Sequence, residues 1–101
     1  MIVNNKKKRS NPENELYDAI LMLKNREECY NFFLDLCTNA ELKAMEQRFE
    51  VARLLQDGMI YNDILEKTGA SSATISRVNR SILTGTGAYE EIFNRMGEKK
   101  Q

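Results

Sequence analysis

No histidine occurs anywhere in the 101 residues. That absence removes the commonest general base and the side chain that titrates near neutral pH. No Ser-Lys pair and no paired carboxylates stand in a cleft-forming context, so enzyme activity has little to rest on and none is expected. Cysteine is scarce, at two residues. Cys29 and Cys37 sit in an apolar helical pattern and read as small core residues of a reducing compartment. Two thiols without histidine do not make a zinc site, and no metal or cofactor is expected. No apolar run approaches the roughly 20 residues that span a bilayer. The opening stretch, MIVNNKKKRSNPEN, carries charge but no apolar segment after it, so no secretory signal is read. The expectation is a cytoplasmic protein with no membrane association.

Net charge is absent too: 15 basic and 15 acidic residues cancel. A zero total argues mildly against a nucleic-acid partner, but the distribution weakens the objection. Residues 1–12 carry +4, from Lys6, Lys7, Lys8 and Arg9. Residues 13–58 carry −5, residues 59–87 carry +1, and residues 88–101 balance. Affinity for DNA follows the local field of the contacting face, not the total.

What is present is an ordinary globular mixture, 42% apolar and 30% charged. The length suits one domain with a modest core, and small helical chains often complete such a core by dimerising. Residues 1–12 read as a flexible basic N-terminal arm and residues 13–97 as a single all-helical domain. Asn11 and Pro12 suggest a cap and first position for a helix over Glu13–Lys24, with Leu16, Ala19, Ile20 and Leu23 as its apolar stripe. Asn25 reads as a break and a cap. A second helix, Arg26–Leu36, is apolar around so much of its circumference that deep burial is expected.

Thr38-Asn39-Ala40-Glu41 has the form of a capping box. A long helix, Ala40–Gln56, should follow, with Leu42, Met45, Phe49, Ala52 and Leu55 as its stripe. Gly58 should end it in the left-handed conformation. Beyond lie a short helix, Tyr61–Lys67, a stop at Gly69, a helix from Ser72 to about Leu83 capped by Ser71, and a last helix, Ala88–Met96. No segment reads as a strand.

Two short helices joined at a glycine within residues 60–83 form the layout of a helix-turn-helix. On a wheel of 100° per residue, Ile75, Val78 and Ile82 with Leu83 beside them form the buried stripe of the second helix. Ile64 and Leu65 on the first supply apolar surface against it. Ala73, Ser76, Arg77 and Arg80 fall on the opposite side. Two of these are small, so the backbone can approach base edges. Ala73 suits a thymine methyl, Ser76 a base-edge donor or acceptor, and the arginines phosphate or guanine. Ser71 and Ser72, at the helix start, suit a phosphate oxygen. Lys6–Arg9 reads first as a solvated tail, and as its functional alternative an arm along the DNA backbone.

The segments AELKAMEQRFEVARLLQDG (Ala40–Gly58) and TGASSATISRVNRSI (Thr68–Ile82), with the glycine-rich break and short final helix, resemble the Trp repressor superfamily. The resemblance runs from about Leu16 to Met96 and is strongest to the YerC/YecD-type branch. It implies an all-α fold of six helices with a helix-turn-helix, and an intertwined homodimer whose two reading helices meet successive major grooves of double-stranded DNA. By position, Ser72, Ala73 and Ser76 match base-contacting residues. The family's tryptophan pocket maps onto Thr38, Arg48, Arg77 and Ser81, the candidate effector pocket. The glycine after the second arginine is Val78 here, a pocket leucine becomes Asp35, and the stretch before the turn is one residue shorter. Tryptophan binding in the family's mode is therefore not expected. The reading is a dimeric, sequence-specific DNA-binding transcriptional regulator acting as a repressor. The alternatives are a regulator sensing some other small ligand near Arg48 and Arg77, and a helix-turn-helix that docks a protein.

Overall fold

In the computed structural model the structure describes residues 11–100, which form six helices and no strand. The basic arm residues Lys6–Arg9 lie outside them. The helices are α1 (Glu15–Leu21), α2 (Arg26–Leu36), α3 (Asn39–Gln56), α4 (Tyr61–Thr68), α5 (Ser72–Thr84) and α6 (Ala88–Lys100). The chain divides into two compact units, one ending at Thr38 and the other beginning at Asn39.

In the first unit, α1 starts two residues later than the sequence suggests. Asn14, not Asn11, is its cap, with the Asn14 side chain accepting from the Leu16 N–H at 2.8 Å. Asn11 instead closes a turn. Its side chain accepts from the Glu13 N–H at 2.9 Å and its carbonyl from the Asn14 N–H at 3.0 Å. Pro12 takes the second position of that turn, where its fixed φ is favoured. The helix also stops early, at Leu21, as the N–H groups of Met22 and Leu23 turn back to the carbonyls of Ala19 and Ile20.

The bounds of α2 are those the sequence gives, and Asn25 caps it by accepting from the Glu28 N–H at 2.9 Å. Its expected deep burial is not found. No residue of α1 or α2 is buried within this chain; Phe32 and Phe33 are half-buried, and Tyr30, Leu34 and Leu36 are exposed. An apolar periodicity tells that a face needs cover, not which chain supplies it.

In the second unit, α3 begins at Asn39, one residue before the expected Ala40, and ends at Gln56 as expected. Its end is a Schellman motif. The Gly58 N–H reaches the Leu55 carbonyl and the Met59 N–H the Leu54 carbonyl, both at 3.0 Å, while Gly58 takes φ +88°. Around α3 the core gathers Val51, Ala52, Ile64, Ala70, Ile75, Val78 and Phe93. Val51, Ile64 and Ile75 are completely buried. Each such side chain contributes about 1.5–3 kcal/mol by leaving water. Met45 and Phe49, in the middle of the expected stripe, stay exposed. Phe93 joins α6 to this core: its ring centre lies 5.2 Å from that of Phe49 and 6.0 Å from that of Tyr89. The Arg53 guanidinium sits 5.7 Å above the same ring. The last helix runs four residues past Met96, to Lys100.

Candidate nucleic-acid interface

The site starts at the C-terminus of α4. Gly69 takes φ +76°, a region a side chain enters at a cost, and its N–H reaches the Leu65 carbonyl at 2.9 Å. Thr68 tightens the same end. Its hydroxyl donates to the Ile64 carbonyl at 2.7 Å and accepts from the Ala70 N–H at 3.0 Å. The Thr68 carbonyl in turn accepts from the Gln47 side-chain amide of α3 at 3.3 Å. Ala70, between the glycine and the next cap, is buried. The turn is therefore held by local hydrogen bonds and by the core together.

Ser71 caps α5, its hydroxyl oxygen accepting from the Thr74 N–H at 3.1 Å. The same hydroxyl donates to Thr74 Oγ1 at 3.1 Å. The proton of Ser71 is thus engaged, and Ser72, one position on and exposed, is the better placed of the two serines to donate to an anion.

The helix then separates two faces. Ile75 and Val78 are buried, with Ile82 half-buried beside them, while Ser72, Ala73, Ser76, Arg77 and Arg80 are exposed. Leu83 departs from the expected stripe: it is 73% exposed. It lies about 80° from Ile75 on the wheel, at the rim of the apolar face, and in the last turn of α5. Asn79, about 40° from Ile75, is half-buried instead. Leu65 also remains exposed, so Ile64 alone carries the burial of α4.

An ion pair joins Glu91 and Arg95, 2.9 Å apart on α6. Among the described residues no carboxylate pairs with Arg77 or Arg80, so their charge is available to a polyanion. The short α4 that precedes them carries Asp63 and Glu66 on exposed positions, which lowers the net field of the region.

Thr38 precedes α3 in the first unit, Arg48 is exposed on α3, and Arg77 and Ser81 are exposed on α5. Ser81 lines a cleft of about 460 Å³ with Gln56, Ile82, Tyr89, Glu90 and the 85–88 joint. Neither Arg48 nor Arg77 is on its wall. Val78 is a core residue, buried to 2% exposure. Among the described residues no group of three His, Cys, Asp or Glu can hold a metal, and no helix is long and apolar enough to cross a membrane.

Sequence reasoning missed Gln47 and the double hydrogen bond of Thr68. The only local signal was a threonine immediately before a helix-ending glycine.

Comparison with known proteins adds four findings. A family model described as Trp repressor protein matches residues 13–97. The uncharacterised protein YerC of Bacillus subtilis (strain 168) is 51% identical over 84 residues, covering 83% of this chain and 81% of that one. The crystal structure of a TrpR-like protein from Eubacterium eligens superposes with a TM-score of 0.80 at 53% identity, covering 82% of this chain and 86% of that one. A Staphylococcus aureus crystal structure gives the same score and identity, with 82% and 83% covered.

Proposed function

The chain belongs to the Trp repressor family, as a YerC-type Trp-repressor-like protein, and from that premise we propose that it is a sequence-specific DNA-binding transcriptional regulator. It works as a homodimer that reads double-stranded DNA with α5 and represses by occluding its operator. Binding proceeds by groove insertion and phosphate clamping, without chemistry. The observation that carries this reading is the division of α5: Ile75 and Val78 are buried, and Ala73, Ser76, Arg77 and Arg80 face solvent, with no ion pair to the arginines among the described residues. A helix with small residues in its first half and arginines from its middle onward suits a major groove. One bidentate arginine–guanine contact contributes about 1–3 kcal/mol of discrimination.

Ser76→Leu and Arg80→Ala test the face. Both positions are exposed, so stability should change by no more than about 0.5 kcal/mol. Operator binding by gel shift should be abolished in each while the melting curves stay in place. Retained operator affinity in both variants contradicts the proposed face.

The cleft beside Ser81 favours a second reading, a regulator that senses a small polar ligand other than tryptophan. Its wall mixes the Gln56 amide, the Ser81 and Thr86 hydroxyls and the Glu90 carboxylate. A thermal-shift screen with amino acids and small anions separates the two: a stabilising ligand that alters operator affinity supports the second reading, and silence across the screen supports the first.

A further inference from the structure

Apolar packing holds α4 and α5 against α3, but such packing is non-directional and permits small slides of one helix on another. A hydrogen bond does not. The Gln47 side-chain amide of α3 donates to the Thr68 carbonyl at 3.3 Å, joining positions 21 apart in sequence. That carbonyl belongs to the last turn of α4, where backbone acceptors have no partner within the helix. The hydroxyl of Thr68 meanwhile ties the Ile64 carbonyl to the Ala70 N–H. Gln47 therefore touches the residue through which the end of α4, the turn and the start of α5 are linked. Gln47 itself is half-buried and lies on the scaffold helix, away from the solvent face of α5.

We infer that Gln47 is a positioning residue for DNA reading: by anchoring Thr68 it fixes the angle at which the turn presents α5. The inference rests on the DNA-binding reading above. Phosphate contacts tolerate small displacements, because they need only charge within reach, whereas base-edge hydrogen bonds need the helix placed within a fraction of an ångström. Loss of the anchor thus lowers discrimination and leaves non-specific binding alone. At 3.3 Å the bond is long, and the expected effect is correspondingly a few-fold.

Gln47→Met tests this, since it keeps the length and bulk of the side chain and removes the donor. The full chain is titrated with a selected duplex and with a scrambled one. Specific affinity should fall about three- to tenfold, the range of one ordinary hydrogen bond, while scrambled-duplex affinity and its salt slope hold. Amide hydrogen exchange should quicken at Gly69 and Ala70 and not at Val51 or Ile75. Thr68→Val, which removes the hydroxyl and leaves the carbonyl, should add less in the Gln47→Met background than alone. An unchanged ratio of specific to scrambled affinity overturns the inference, as does exchange that rises equally at Val51 and Ile75. If the native chain does not tell the two duplexes apart, the DNA-binding reading has failed. The anchor then stands or falls on the exchange pattern alone, with unchanged rates at Gly69 and Ala70 overturning it.

Discussion

Val78 packs among the core residues that hold α5 to the second unit. A glycine there would leave open space of the kind a flat ring can enter; valine fills it with side-chain atoms. Removing those atoms would cost buried apolar contact, and glycine inside a helix would cost about 1 kcal/mol more. We propose that this same core side chain closes the position the resemblance assigns to the family's ligand. Isothermal titration with tryptophan should show no binding heat up to millimolar ligand; micromolar binding contradicts the account. The departure at Val78 was legible as a letter, because it stands next to Arg77 in a motif of fixed spacing. The exposure of Leu83 was not. The wheel gives an angle, and burial needs a neighbour at that angle as well.

At the scale of the element, the caps were the most legible part. Asn25, Gly58, Gly69 and Ser71 each work through a backbone group within a few positions, so sequence distance and spatial distance coincide. The beginning of α1 shows the limit of that argument. Asn11 and Asn14 offer the same chemistry three residues apart, and only the turn around Pro12 decides between them. The hydrogen bond from Gln47 to Thr68 had no such local signal, because its partners are 21 positions apart. Gly69 gives a clean test of the turn. A side chain at this position would meet nothing within 4 Å, so any penalty comes from the +76° φ alone. Gly69→Ala should lower unfolding free energy by about 1–2 kcal/mol in denaturant melts, and Gly69→Asn by less. Equal stability of Gly69→Ala and the native chain would show that the left-handed turn is not what holds the two helices.

For the whole molecule, the exposed apolar surface is where the proposed homodimer can be tested. No residue of α1 or α2 is buried, and Met45, Phe49 and Ile92 stand exposed in the second unit. The proposed homodimer would cover this surface and so stabilise a chain of this size. Sedimentation equilibrium should return about twice the 11.7 kDa chain mass at micromolar concentration, and the melting temperature should rise with protein concentration. A monomer with a concentration-independent melt contradicts the homodimer. The sequence showed which helices carry this surface and stopped there, since nothing in one chain's periodicity distinguishes an internal neighbour from a second subunit. The cancelling net charge has the same character: it describes the total, and the total hides a −5 segment at residues 13–58 and a +1 segment at residues 59–87 that holds the arginines of α5.

The most direct test of the central claim is selection of binding sites from a randomised duplex pool with the purified full-length protein. The account predicts convergence on a motif with two symmetric half-sites about 10 base pairs apart, one per reading helix. The motif should be lost when the Arg80→Ala protein is used. A pool that never converges at low salt, or the same motif recovered with Arg80→Ala and with Ser76→Leu, would contradict it.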